Sequence, residues 1–411
     1  MLFVCFVVVS SYALEWYYPV QVNCRGILEP TPMPANNTSD VLVIGGGVIG
    51  LAIARRLAID GVSVTLLEKD RIGLSSSWAA AGVLAAANWH RQDAMVRFQR
   101  KSLAMMPTFC ETLHAVSGID PEYVRCGSLE LLFEDQKFRM AMSEVDAAAA
   151  QHDEHDEPIV QLLTPAQVQA FEPKVTGNLL GAKRCTATAQ VRNSRLVPAL
   201  AAAARAAGVR IHEGTEATGL CREQNRIIGA RSASDIWHAG HTILCAGAWS
   251  SLLDESLRAA VDVFPVRGQV LLLAMPSLPL AHVVKHRKCY VVPRRDGLFL
   301  VGSTVEPDAG FASEATAEGV QSLSTQAIRL VPSLARATFV RAWAGLRPGT
   351  RDRRPYIGPV PGFDGLFAAT GHYRTGIGLA PLTAEVVTEL VRCGSSNEDL
   401  SVFLPARRLR S

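Results

Sequence analysis

The chain has 411 residues, of which 48% are hydrophobic and 19% charged, with a formal net charge of +3. That length and apolar content can bury two cores, which excludes a disordered or fibrous protein. The charges form no basic stripe or run, so no electrostatic footprint for nucleic acid exists and small-molecule chemistry is favoured.

The segment from Leu2 to Val9 is apolar but too short to span a bilayer, and no Lys or Arg precedes it, so it makes a poor signal peptide. Ser11-Tyr12-Ala13 resembles a cleavage site only loosely, and Glu29 to Ser39 has linker composition. Residues 1–39 are therefore read as an N-terminal extension whose natural first residue is Met33. A cleaved or anchoring segment and a disordered extension are the competing readings. Truncation to Met33 is expected to leave the fold intact. The nine cysteines are scattered, with no C-x-x-C pair, which argues against a disulfide framework or a structural zinc site. Most read as small buried hydrophobes.

From Val41 the sequence VLVIGGGVIGLAIARRLAIDGVSVTLLEKD reads as a strand, a glycine turn, an amphipathic helix and a second strand ending in an acid. Gly45 permits the tight turn, Gly47 lets backbone approach a pyrophosphate, and Gly50 lets the helix lie close on the strand. Glu68 is placed to accept from ribose hydroxyls. The pattern predicts a dinucleotide site with Ile49, Ala52, Ile53 and Leu57 inward, and by itself serves NAD as well as FAD. The next segment, RIGLSSSWAAAGVLAAA, sets Ser75, Ser76 and Ser77 beside small residues around Gly82. Backbone and hydroxyls there can crowd a second phosphate and a ring system; the competing reading is a plain loop.

The acidic stretch Gln151 to Glu157, with His152 and His155, reads as a solvated loop lacking the other ligands of a closed metal site. SRLVPALAAAARAA, from Ser194, predicts a helix, Gly208 to Ile211 the start of a strand, and ILCAGAWS, from Ile243, another strand meeting a helix. Between Phe264 and Leu300 alternating apolar runs predict antiparallel strands of a different sheet. GLFAAT leads through Gly371 and Gly376 into a closing helix, whose N-terminus can face negative charge. The expected fold class is α/β: a Rossmann-like FAD-binding domain (40–122, 188–266 and 340–398) with an inserted, mainly antiparallel substrate domain (123–187 and 267–339) and a tail (399–411).

Four separated segments in this order, IGGGVIG, SSSWAAAGVLAA, CYVVPR, and WAGLRPGTRDRRPYIG with GHYRTGIGLAP, resemble the D-amino-acid oxidase superfamily of flavoproteins and, within it, the glycine oxidases. The resemblance covers roughly Asp40 to Arg392 and implies FAD as cofactor. Carried over by position, it implies FAD contacts from Val48, Ile49, Glu68, Lys69, Ser76, Ser77, Ala81, Gly82 and Val83, adenine contact from Ala217, and cover of the flavin's pyrimidine edge by His372, Tyr373, Arg374, Thr375, Gly376, Ile377 and Gly378. It also sets Arg347 against a substrate carboxylate and Tyr290 over the amino acid, with Arg374 contributing. No cysteine lies near Pro355-Tyr356-Ile357-Gly358, where related sarcosine oxidases tether flavin, so FAD is expected to be non-covalent.

An arginine can grip a carboxylate with two parallel N–H bonds and so orient the Cα hydrogen. The resemblance implies oxidation of glycine, sarcosine or a small D-amino acid with oxygen as acceptor, giving keto acid, ammonia and peroxide, in the service of thiamine (thiazole) synthesis. It implies a cytoplasmic enzyme without membrane contact, with homo-oligomers an open matter. A D-amino-acid dehydrogenase passing electrons to a quinone is the runner-up. A flavin-binding module without turnover is a third reading, against which the intact Arg347 and Tyr290 count. The bland readings are an ion-paired Arg347 in an Arg-rich loop, a core Tyr290 and a satisfied turn histidine at His372. Two departures, Lys288 in place of a histidine and Val305 in place of a methionine, put the substrate in doubt more than the reaction.

Overall fold

The computed structural model describes residues 37–85, 91–149 and 159–407. The proposed start at Met33 and the acidic stretch with His152 and His155 lie outside the described residues.

The glycine-rich fingerprint builds the centre of a parallel sheet. Strand Thr38–Ile44 pairs in parallel with Val64–Leu67 on one side and Ile236–Leu244 on the other. Beyond them lie Arg210–His212 and Leu366–Thr370, also parallel, and the antiparallel edge strand Tyr356–Pro359. The first strand begins at Thr38 rather than Val41, because Thr38 and Ser39 already align with His238 and Ala239. Val41, Leu42 and Val43 are fully buried, as a strand covered on both faces requires. Helix Val48–Ile59 turns Ile49, Ala52, Ile53 and Leu57 inward as expected. It packs against helices Asn193–Ala206 and Gly376–Cys393 to form the largest core.

The second sheet has eight strands in the order Thr338–Gly349, Phe264–Ala274, Leu298–Gly302, Cys289–Pro293, Val283–His286, Ser128–Leu132, Gly181–Cys185, Val160–Leu163. All its pairs are antiparallel except Val283–His286 with Ser128–Leu132, where the two stretches of chain that build it meet. Its core is separate, centred on Leu129, Val291, Phe299 and Val301. The architecture is the Rossmann-like domain with an inserted, mainly antiparallel sheet. Strand Thr338–Gly349 lies wholly in the second sheet and runs from its exposed edge to the seam between the sheets, carrying Arg347 at its inner end.

Cys110, Cys185, Cys245 and Cys289 are buried free thiols and Cys126 and Cys221 half-buried ones; Cys393 differs in being disulfide-bonded. No helix among the described residues is long and apolar enough to cross a membrane.

Candidate active site

A cavity of about 510 Å³ lies along the seam, walled by the fingerprint turn, the serine-rich segment, the inner ends of the second-sheet strands and the turn before the closing helix. Gly45 starts the turn at φ +112°, and a Cβ there would stand 2.5 Å from the Cys245 carbonyl oxygen. Gly47 caps the helix without a side chain of its own and no acid occupies the first turn, so the helix N-terminus, with Ser77 on its first amide, meets the cavity without a negative charge of its own. Glu68 is buried and held by two amides: Oε2 accepts from Gly46 N at 2.7 Å and Oε1 from Asp70 N at 3.0 Å. Lys69 lies over the Trp249 ring, 3.8 Å from its centroid. This cradle fits FAD: a narrow glycine turn, a helix N-terminus with no acid in its first turn and a fixed carboxylate at the strand end.

The serine-rich segment forms a short helical turn, Ser76–Ala79. Ser77 Oγ accepts from Val48 N at 3.0 Å, whereas Ser76 Oγ donates to the Leu346 carbonyl across the seam. Of the residues expected around the cofactor, Gly45, Gly47, Val48, Ile49, Glu68, Lys69, Ser76, Ser77, Ala81, Gly82, Val83, Ala217, His372, Tyr373, Arg374, Gly376 and Ile377 line the cavity. Gly50, Thr375 and Gly378 do not. Gly50 instead packs the helix onto the Gly45 carbonyl, Gly378 faces Leu103, and Thr375 sits at the N-cap position of the closing helix, its hydroxyl donating to the His372 carbonyl at 2.9 Å.

Arg347 reaches the cavity because Gly268, two residues along the neighbouring strand from its cross-strand partner Val266, has no side chain; a Cβ there would collide with the guanidinium. Its Nη1 donates to the carbonyls of Thr304 at 3.1 Å and Arg267 at 3.3 Å, and its Nη2 to Ser303 Oγ at 2.7 Å. At most three of its five N–H donors are thus used, leaving two. Arg351, four residues on, pairs with Asp262 at 2.7 Å. No carboxylate among the described residues pairs with Arg347, which sets aside the ion-pair reading. Burial lowers its pKa, the Tyr290 hydroxyl works against that, and the Arg374 cation lowers it further; a guanidinium stays charged regardless.

Tyr290 lines the cavity with its hydroxyl over Gly302. Burial pushes that hydroxyl above its usual value, opposed by the neighbouring Ser303 and by the Arg347 and Arg374 cations. Arg374 is exposed at the mouth, beside the Tyr373 ring. Lys288 is exposed at a hairpin turn and Val305 is half-buried, and neither stands on the cavity wall. Several wall residues went unread in the sequence: Ser303, Gly268, Trp249 and Cys245. Only Gly268 left a signal, as a lone glycine inside an apolar strand run.

His372 is buried with Nε2 3.3 Å from Thr383 Oγ1, and burial brings its pKa down to about 3. It is therefore neutral at any working pH and acts by position. Between the unfolded value of about 6.5 and that folded value, the unfolded chain binds a proton the folded one refuses. Its contribution to stability is present above about pH 6.5 and is lost as pH falls, by up to about 1.4 kcal/mol per pH unit. Urea unfolding at pH 7 and pH 5 should show a larger loss in the parent chain than in His372→Gln; equal losses would exclude this role.

The profile of the FAD dependent oxidoreductase (DAO) family matches residues 40–390. The glycine oxidase of Pseudomonas aeruginosa is 35% identical over 371 residues, covering 90% of this chain and 99% of that protein. The glycine oxidase of Pseudomonas putida is 36% identical over 382 residues, covering 90% and 100%. The crystal structure of glycine oxidase from Geobacillus kaustophilus matches with a TM-score of 0.86 at 32% identity, covering 91% of this chain and all (100%) of that one. The chain belongs to the FAD dependent oxidoreductase family, on its glycine oxidase branch.

Proposed function

We propose that the protein oxidatively deaminates a small amino acid, glycine, sarcosine or a small D-amino acid, consuming oxygen and water and giving keto acid, ammonia (methylamine from sarcosine) and hydrogen peroxide. The observation that carries this is Arg347: a guanidinium at the cavity wall with two donors to spare and no carboxylate of its own. FAD, when bound, supplies the acceptor for the hydride from Cα. The chain's own residues do the rest. Arg347 holds the substrate carboxylate, Tyr290 and Ser303 bound the space beside it, and the neutral His372 supports the turn that closes the cavity. Glycine oxidase relatives favour oxygen as the electron acceptor over a quinone, and the role we assign is thiazole formation for thiamine. An aerobic panel of glycine, sarcosine and D-amino acids with peroxide detection tests the reaction. Turnover with a quinone but no oxygen uptake would replace it by the dehydrogenase reading. A deletion strain that grows without thiamine or thiazole would remove the biosynthetic role.

The same reading has FAD held without a covalent bond. Cys245 is the only cysteine on the wall among the described residues, and burial raises its thiol far above the usual range, leaving it protonated and unreactive. Acid precipitation should release all the flavin into the supernatant as FAD. A yellow pellet would contradict this.

A further inference from the structure

The wall formed by Ala79 to Val83 has an unusual backbone arrangement. Four successive carbonyls are each held by a donor lying outside the cavity. Trp343 Nε1 donates to the Ala79 carbonyl at 3.1 Å, Asn193 Nδ2 to Ala80 at 2.7 Å, Arg294 Nη2 to Ala81 at 2.7 Å, and Val191 N to Gly82 at 2.9 Å. Asn193 Nδ2 also reaches the Ser77 carbonyl at 3.0 Å. No protein acceptor among the described residues takes the amides of Ala80, Ala81 or Gly82.

The three side chains come from separate parts of the chain: Asn193 begins a helix of the first domain, Trp343 belongs to the second sheet, and Arg294 follows that sheet's strand Cys289–Pro293. Asn193 is buried, and Arg294 is itself fixed by Gln190 Oε1 at 2.8 Å and the Val191 carbonyl at 2.9 Å. Arg294 forms no ion pair among the described residues, so a half-buried cation spends its donors on carbonyls. Turning a run of carbonyls outward leaves the opposite side of the same peptides electropositive.

We infer that Asn193, Arg294 and Trp343 form a clamp that holds the Ala79–Gly82 carbonyls away from the cavity, so that this wall favours the electron-rich, reduced form of the bound flavin. They are positioning residues, acting through the backbone. The inference rests on FAD binding and not on which amine is oxidised, so its test uses no substrate.

Arg294→Met removes a charged donor, and Trp343→Phe removes one neutral donor while keeping a ring. For each variant the apoprotein is titrated with FAD by fluorescence, and the midpoint potential of the reconstituted flavoprotein is measured. The Kd for FAD should rise about tenfold in Arg294→Met and about threefold in Trp343→Phe, with the potential lower in both. A tenfold selective loss of the reduced form is a fall of about 30 mV for a two-electron couple. Arg294→Lys should recover part of the Arg294→Met loss. If the potential falls in Arg294→Met alone, the charge and not the clamp is responsible, and unchanged potentials in both variants with FAD retained overturn the inference equally. Should Arg294→Met not fold, Trp343→Phe and Arg294→Lys decide it by the same measurements. A parent chain that binds no FAD would instead sink the flavin reading itself.

Discussion

Arg347→Ala should lower kcat/KM for glycine on the order of 10³-fold, and Arg347→Lys about 10- to 150-fold, with FAD content normal in both. Losing one hydrogen bond to a charged group costs about 1.5–3 kcal/mol, and alanine loses two. Lysine keeps the charge but cannot reproduce a fork whose direction is set by Ser303, Thr304 and Arg267. Amines without a carboxylate never use this contact and should lose much less activity. Steady-state kinetics on both substrate types decide the matter. Unchanged glycine turnover in Arg347→Ala, or equal losses for both types, would transfer the role to Arg374, the other guanidinium on the wall.

The second large effect is expected at a position that never touches the cavity. A Cβ on Gly50 would collide with the Gly45 carbonyl oxygen, so Gly50→Ala must push the fingerprint helix off its strand. Overpacking of this kind costs about 1–3 kcal/mol. Because the strain falls on the turn that receives the phosphates, FAD affinity should drop about 10- to 100-fold. The purified variant should be pale, with its ratio of flavin to protein absorbance well below that of the parent. A fully yellow Gly50→Ala would mean that the helix can retreat without moving the turn.

Local patterns in the sequence carried the first domain well. The spacing of Gly45, Gly47 and Gly50 between an apolar strand and an amphipathic helix is a near neighbour effect, and Glu68 follows from the length of the unit. Arg347, Tyr290 and the His372 turn were legible only through the resemblance, since no local pattern distinguishes a substrate arginine from its neighbours Arg351, Arg353 and Arg354. Of the supporting residues only Gly268 left a signal, as a lone glycine inside an apolar run. Ser303 meets Arg347, and Gly268 makes room for it, through cross-strand register: Gly302 opposite Tyr290 and Val270, and Val266 opposite Arg347. A register is a relation between distant segments and leaves no trace in either alone. Thr375 and Gly378 share the motif expected at the cofactor with residues that line the cavity, but they stand off its wall, Thr375 at the N-cap of the closing helix and Gly378 against Leu103.

The parallel sheet pairs Val41 with His241, and the cavity wall begins at Ile44 and ends at Ile377. On the ribosome, the dinucleotide turn therefore emerges long before the strand beside it and longer still before the helix that shuts the pocket. Such non-local pairing is slow and leaves strand edges open in the interim. A nascent chain halted short of Gly376–Cys393 has the glycine turn but lacks one wall of the cavity, so the pocket is completed only after that helix has been made.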